Sequence, residues 1–442
     1  GFLQKIIIML QAVQKSYYII SELEKIEVIK QYKSLTGDYR FAGPMTVSLT
    51  YSDVLEKNYE EYKNSVSIRR GYSVTDKADG ERNLLIVLKD GSMYLLNRKN
   101  VLRKLDAKCP GLQMSIFDVE YLMKDKTGKN VNMIMIFDVY FVNSEDMRDR
   151  IFNRTEEEVK KGIIDQSRYE ILNEKMDDFA TVEKSAQNTL EITKKKFYFG
   201  DDDMFDETTN ITINSIQSIL SEMDPESDEY AANKEQLTVL KADTRIFKEA
   251  AKLYNKEYPY HIDGLIFTPR SLAVGEEPGK EKRNQANGRW YRCFKWKPPE
   301  ENSIDFLSVY KKDEGTNTYR TKYVTINNKV IECRILVLHV GYNPVQHTKY
   351  NSFKVLNENV TFEAGYNPTP FVPTEPYIKD IHLCYIPIEG GNCYTEDRNI
   401  IGDNSIVEFS YDKTKEAGFC WNPMRVRDTL KPNDFITANN VW

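Results

Sequence analysis

The pattern of apolar and polar positions divides the chain into a helical opening, a strand-rich middle and a second strand-rich end. Over residues 8–35, apolar side chains such as Leu10, Val13, Tyr17, Ile20 and Leu23 recur at three- and four-residue spacing, which predicts one long helix. The run "SLTGDYRFAGP" breaks it, and "GPMTVSLT" then alternates as a strand does. From 71 to 142 the text is β-rich. "SVTDKADGERNLLIVLKDGSMYLLNR" turns at Asp90-Gly91, a hairpin signal, and "SIFDVEYLMKDKTGKNVNMIMIFDVYFV" repeats the design around "KDKTGKN". Such a series predicts mixed, mainly antiparallel sheet and not a succession of βαβ units. Helical periodicity returns around 143–180. Residues 200–235 are polar and acidic with helix-capable text between, which predicts a solvated insertion. After Pro298-Pro299 short β-like runs such as "RILVLHV", "IHLCYIPI" and "NSIVEFSYD" alternate with Gly, Asn and Pro turns, the pattern of a small barrel. A domain boundary is therefore expected near residue 302.

Bulk properties narrow the class. A chain of 442 residues is long for one core, in keeping with two domains. The formal charge of −6 excludes a wholesale polycation but leaves room for local basic grooves, and residues 280–297 carry seven Lys/Arg against one acid, Glu281. Six cysteines without a CxxC pair and only four histidines make a zinc site or a disulfide framework unexpected, so a reducing, intracellular setting is inferred. The apolar start "GFLQKIIIMLQAV" is too short to span a bilayer, and no membrane association is expected. The first residue is not Met and the end "FITANNVW" is abrupt, features expected of a piece cut from a longer polypeptide.

The chemistry gathers at strand ends. "KADGER" places Lys77, Asp79, Gly80 and Arg82 where an apolar strand begins. A lysine amid apolar text and near other cations can supply a free amine as a covalent nucleophile, and a phosphoryl electrophile then needs Arg, Lys or a divalent metal to screen its charge. In "IFDVEYL", Asp118 and Glu120 share one strand face, because side chains alternate. "MIFDVYF" ends a strand with Phe137 beside Asp138, "HIDGLIFT" sets Asp263 and Gly264 at the mouth of another, and "FKWKPP" spaces Lys295 and Lys297 by two. Each fragment alone also reads as an ordinary surface turn or core strand.

In this order (K-x-D-G-x-R, D-x-E, F-D, D-G with an apolar run, K-x-K) the fragments resemble the covalent nucleotidyltransferase superfamily, which comprises mRNA capping guanylyltransferases and ATP- or NAD-dependent polynucleotide ligases. The resemblance spans about residues 70–435. "FKWKPPEENSIDF" looks like the capping-enzyme form of the fifth motif, and "WNPMRVRDTLKPND" resembles the R-x-R of the sixth, although Asp428 and Lys431 depart from the usual offsets. The resemblance implies an α+β fold, with a nucleotidyltransferase domain of ATP-grasp-like antiparallel sheet (residues 1–302, including the N-terminal helical segment) followed by an OB-fold β-barrel (303–442).

It also implies roles. Lys77 would carry the nucleoside monophosphate, with Asp79, Gly80 and Arg82 around the nucleotide and Arg98 on its sugar. Phe137 would stack on the base, and Lys196 of "KKKF" would contact the nucleotide. Glu120 and Asp263 would hold Mg²⁺ or Mn²⁺, with Glu120 also near the nucleotide. Lys295 and Lys297 would grip the α-phosphate, Arg425 and Arg427 of the sixth motif would bind the nucleotide and promote pyrophosphate release, and Asp428 would be a further nucleotide contact. The implied reaction transfers GMP from GTP to the 5′-diphosphate end of RNA, in a polypeptide also expected to carry RNA triphosphatase and cap methyltransferase domains. A cytoplasmic or viral-factory location follows, with a large DNA virus as the source the resemblance suggests. The competing readings are an ATP-dependent polynucleotide ligase and a non-catalytic RNA-binding scaffold.

Overall fold

Two helices, not one, open the chain. Helix α1 covers Phe2–Gln14 and α2 covers Glu22–Thr36. The restart has a local cause: Ser21 Oγ accepts from the Glu24 amide while the Glu24 carboxylate accepts from the Ser21 amide, a reciprocal cap that fixes a new first turn. The new phase buries Val28 and Tyr32 and leaves Leu23 81% exposed, so the predicted single helix and its apolar stripe are both corrected. Gly37, at φ +76°, closes α2 in the left-handed conformation that glycine adopts without strain.

The computed structural model describes residues 2–14, 18–55, 66–162, 165–200, 207–242, 245–277, 288–298, 301–326, 329–342, 367–373 and 376–442. Lys280, Glu281, Lys282 and Arg283 of the basic segment, and 201–206 of the acidic stretch, lie outside the described residues. The chain divides into two compact units, Gly1–Trp296 and Lys297–Trp442.

Among the described residues of the first unit thirteen strands follow in order: β1 Met45–Ser48, β2 Tyr72–Ala78, β3 Glu81–Val87, β4 Ser92–Asn97, β5 Leu102–Lys108, β6 Ser115–Lys124, β7 Asn130–Val142, β8 Glu145–Asp146, β9 Glu183–Lys184, β10 Glu191–Lys194, β11 Tyr198–Phe199, β12 Ile262–Pro269 and β13 Arg289–Trp296. They form a five-stranded sheet, β1-β13-β12-β2-β11, and a larger one, β10-β7-β6-β3-β4-β5-β9, with β8 beside β7. Among the described residues only the β1–β13 and β10–β7 pairs are parallel, so the mixed, mainly antiparallel expectation is met.

The remaining helices of this unit are α3 Tyr51–Val54, α4 Glu156–Lys161, α5 Arg168–Phe179, α6 Glu207–Glu222, α7 Asp228–Ala242 and α8 Arg245–Tyr254. The helix expected over 143–180 is thus confined to α4 and α5, because Asn143 and Ser144 at positive φ turn the chain into β8. The acidic stretch carries α6 and α7.

The larger sheet is buried on both faces. Leu84 and Ile86 of β3 pack with Val28 and Tyr32 of α2, while Leu85 and Val87 pack with Ile171, Leu172 and Phe179 of α5. Burial on both sides explains why "NLLIVL" is continuously apolar and not alternating. The smaller sheet turns Val74, Leu265, Phe267 and Phe294 toward Ile246, Ala250 and Leu253 of α8. Its other face is left for the site.

The second unit is built from β14 Ser303–Tyr310, β15 Thr321–Ile326, β16 Lys329–Tyr342, β17 Asn367–Pro370, β18 Leu383–Pro387, β19 Ser405–Tyr411 and β20 Trp421–Val426, followed by helix α9 Phe435–Val441. All its strand pairs among the described residues are antiparallel, and the fourteen-residue β16 pairs with β14, β15, β17 and β18. Phe306, Phe371, Phe409 and Trp421 centre its core. The molecule as a whole is α+β, as expected. No helix among the described residues is long and apolar enough to cross a membrane.

Candidate active site

β2 belongs to the smaller sheet and β3 to the larger one, so the two-residue link Asp79-Gly80 carries the chain from one sheet to the other. A cavity of about 300 Å³ lies where the two sheets meet. Alternation along β2 sends Val74 toward α8 and turns Thr75 and Lys77 into this cavity.

Lys77 Nζ donates to Asp263 Oδ1 at 2.5 Å. That contact depends on an irregularity in the neighbouring strand. Ile262 pairs with Ala78 and Leu265 with Asp76, so two residues, Asp263 and Gly264, stand opposite the single Lys77. Such a bulge re-aims a side chain, and Gly264 at φ +146° supplies the backbone that the extra residue needs.

Glu120 enters from β6, where it pairs with Arg82 across the ladder. Burial pushes its carboxyl up to about 7, even though Lys195, Lys77 and Arg82 all pull the other way. Two residues earlier on the same face, Asp118 is fully buried. It accepts from Arg82 Nε at 2.9 Å, from Arg82 Nη2 at 2.5 Å and from the Tyr140 hydroxyl at 2.5 Å. Arg82 also donates from Nη1 to the Pro44 carbonyl at 2.7 Å, and its guanidinium lies 5.5 Å from the Phe41 ring and 5.7 Å from the Phe137 ring. Arg82 therefore ties the segment after α2 to the cavity wall and backs the aromatic face.

Phe137 reaches the cavity through a second bulge. Asp118 pairs with Asp138 but Val119 pairs with Ile136, leaving Phe137 as the extra residue. Both Phe137 and Asp138 consequently line the cavity, which strict alternation forbids. Asp138 is held from behind by the fully buried Arg168, whose Nε donates to its Oδ1 at 2.8 Å. Burial raises the Asp138 carboxyl and the Arg168 charge opposes the rise.

The other expected residues fall into three groups. Lys295 lines the cavity from β13, and Arg98, just past β4, lines it with a largely exposed side chain whose proton affinity is lowered by partial desolvation at the cavity wall and by the like charge of Arg82. Asp79 and Gly80 form the link between the sheets, the Asp79 amide donating to the His261 carbonyl at 2.9 Å. Lys297 is the first residue of the second unit. Arg425 lies near the end of β20, Arg427 just beyond it, and both meet Glu408 of β19: Arg425 Nε lies 2.6 Å and Arg427 Nη1 3.4 Å from its Oε2. Asp428 follows as an exposed residue.

Of the lysines in "KKKF", Lys195 lines the cavity and Lys196 does not. Lys196 is exposed, with its ammonium 5.0 Å from the Tyr198 ring. Lys195 is the buried one. It lines the cavity, donates to the Asp76 carbonyl at 2.7 Å and pairs with the Asp76 carboxylate at 3.4 Å. Three consecutive lysines offer no pattern by which to choose among them; the backbone bond from the Lys195 amide to Ile136 fixes the register. Tyr140, which tethers Asp118, escapes a reading of the sequence for a related reason, since nothing in its spacing separates it from the core aromatics around it.

A divalent cation fits this donor set in a limited way. No group of three or more His, Cys, Asp or Glu side chains suited to a metal gathers among the described residues. Two carboxylates, Glu120 and Asp263, do flank Lys77, which suits an ion such as Mg²⁺ that keeps waters and takes substrate phosphate oxygens as its remaining ligands.

Residues 19–224 match the family model described as mRNA capping enzyme, catalytic domain. The chain is similar to the mRNA capping enzymes over this span. It is 26% identical over 459 residues to a probable mRNA-capping enzyme of Acanthamoeba polyphaga mimivirus, covering 97% of this chain and 34% of that protein. It is 24% identical over 301 residues to the mRNA-capping enzyme of Caenorhabditis elegans, covering 62% of this chain and 39% of that one. It thus spans little more than a third of the length of these relatives. The resemblance read from the strand-end motifs is borne out.

Among solved structures, the ATP-dependent DNA ligase of bacteriophage T7 in complex with ATP aligns at 12% identity over 87% of this chain and 99% of its own, with a TM-score of 0.25. A structure titled Pmar-Lig_Pre. aligns at 10% identity over 92% and 71%, with a TM-score of 0.29.

Proposed function

We propose that the chain is an mRNA guanylyltransferase that transfers GMP from GTP to the 5′-diphosphate end of RNA through a covalent lysyl-Nζ–GMP intermediate. The observation that carries this reading is Lys77 Nζ in contact with Asp263, in a cavity that also holds Glu120, Lys195, Lys295 and the Phe137 ring. The purine stacks on Phe137, whose far side is backed by the Arg82 cation. Lys195 and Lys295 draw the α-phosphate toward Lys77, and Arg98 takes the sugar. Mg²⁺ or Mn²⁺ at Glu120 and Asp263 would screen the phosphate charge and orient it.

The amine of Lys77, its proton passing to the adjacent Asp263 carboxylate, forms the N–P bond as the bond to the β-phosphate oxygen breaks and pyrophosphate leaves. Arg425 and Arg427 are assigned to the pyrophosphate. A terminal oxygen of the RNA 5′-diphosphate then attacks the same phosphorus, the N–P bond breaks as the nitrogen takes back the proton held by Asp263, and Lys77 is restored with GpppN as product. We read the second unit as an OB fold, a reading supported by its antiparallel strands and long shared β16. The greater length of both relatives supports the further capping domains expected from the sequence. The mimivirus relative supports a large-virus source and an intracellular site of action.

Incubation with GTP labelled at the α-phosphate, plus Mg²⁺, tests the reading. An acid-labile, base-stable protein adduct is expected, absent in Lys77→Ala. Labelling by ATP in place of GTP would make the chain a ligase-type enzyme, and no labelling by any nucleotide would favour a scaffold.

A further inference from the structure

The two sixth-motif arginines sit on a pair of carboxylates that the proposed reaction leaves without a task. Asp305 of β14 and Glu408 of β19 are direct cross-strand partners, and Glu408 pairs in turn with Arg425 of β20. Like charges placed opposite each other across a ladder repel, so this pairing needs compensating cations. Arg425 and Arg427 supply them. Glu408 Oε2 takes Arg425 Nε at 2.6 Å and Arg427 Nη1 at 3.4 Å, and Asp305 Oδ1 lies 3.4 Å from Arg427 Nε. Ser303 Oγ donates to Glu408 Oε1 at 2.5 Å, which turns the other oxygen toward the guanidiniums. Glu408 is buried and Asp305 mostly so, whereas the Arg425 side chain is 51% exposed. The acids are therefore fixed in the sheet while the arginines can change partner.

We propose that Glu408, seconded by Asp305, is an internal competitor for Arg425 and Arg427 that weakens their hold on pyrophosphate. The inference rests on the guanylyltransferase reading for the identity of that anion. With no polyphosphate bound, the carboxylates keep both guanidiniums side by side at the strand edge. An incoming polyphosphate must draw them off, leaving two like charges opposed across β14 and β19. That repulsion pulls the arginines back when pyrophosphate departs. Glu408 is a positioning residue in this account, since it touches the arginines and not the substrate.

The test is a calorimetric titration of the full chain with inorganic pyrophosphate. Ion pairs whose arginine is half in solvent have modest coupling, so Glu408→Gln is expected to tighten binding about two- to fivefold. The gain should vanish when Arg425→Ala and Arg427→Ala are added to both backgrounds. A purely structural role for Glu408 predicts weaker binding, not tighter. Asp305→Asn, expected to shift affinity in the same direction by a smaller factor, carries the test if Glu408→Gln fails to fold. Unchanged or weaker pyrophosphate binding in a folded variant overturns the proposal, as does a gain that survives loss of both arginines. Because the titration needs no turnover, GTP labelling of the same samples reports separately on the guanylyltransferase reading.

Discussion

Gly80→Ala is the sharpest probe of the link between the two sheets. A Cβ built on Gly80 falls 2.8 Å from Glu120 Oε1, 2.8 Å from Leu122 Cδ2 and 2.9 Å from Glu120 Cγ. Carbon contacts are comfortable from about 3.5 Å, so the neighbours must retreat by roughly 0.6 Å. Gly80 is not among the residues at positive φ, so the demand is for space and not for a special backbone. Overpacking of this kind costs about 1–3 kcal/mol. Two of the three crowded atoms belong to the Glu120 side chain, so the strain is relieved mainly by displacing that carboxylate. A misplacement approaching 1 Å near reacting groups costs about 100-fold in rate.

The expected result is therefore a drop of a few degrees in the unfolding midpoint and a GTP-labelling rate lower by about two orders of magnitude. Gly128→Ala is the control. Gly128 turns the β6–β7 hairpin at φ +83° with nothing within 4 Å of its would-be Cβ, so it should lose comparable stability and keep the wild-type labelling rate. Labelling by Gly80→Ala within about twofold of wild type, where a 1 Å shift should cost about 100-fold, would refute the placement of Glu120 beside the reacting phosphate.

Lys195→Ala should reduce labelling by at least about 100-fold, the usual cost of removing one preorganised charge donor, while Lys196→Ala leaves the rate unchanged; equal effects would show that the register at β10 is misread. Asp118→Ala strands the Arg82 cation in the wall, and breaking a buried pair typically costs about 3–5 kcal/mol; with Arg82 still 22% exposed the lower end is expected in denaturant unfolding, together with weaker GTP binding as Phe137 loses its backing. Glu170 titrates at about 2: burial alone would raise it, but hydrogen bonds from Arg154 and Ser167 prevail. A carboxyl held below its ordinary value stabilises the fold above about pH 4.5 and loses that contribution as pH falls toward 2. Glu170→Gln should accordingly lower the melting temperature at pH 7 and converge with wild type in acid, and a deficit independent of pH would refute the ion-pair account.

Legibility from sequence follows the physics of each element. The hairpin at Asp90-Gly91 is readable because its turn chemistry is local, and Gly91 does adopt φ +82°. The helix over 8–35 is misread because a three- to four-residue apolar period continues across a cap, while the Ser21–Glu24 box that restarts the helix decides which stripe is buried. Lys77, Glu120 and Asp263 are readable as charged ends of apolar strands. Lys195 is not, because a run of like residues holds no register, and Arg82 is given a ligand contact although Asp118 and the Pro44 carbonyl already engage it.

What the amino-acid order determines by itself is the inventory: two strand-rich halves, a lysine at a strand end, two acids, an aromatic and a set of cations in a recognisable succession. Tertiary structure decided which of these meet. Two residue insertions, at Asp263-Gly264 and at Phe137, bend their strands so that side chains that strict alternation would turn away face Lys77 and the cavity. A bulge exists only between paired strands. Pairing partners almost two hundred residues apart, as Lys77 and Asp263 are, are chosen by burial of the sheet faces and not by local sequence.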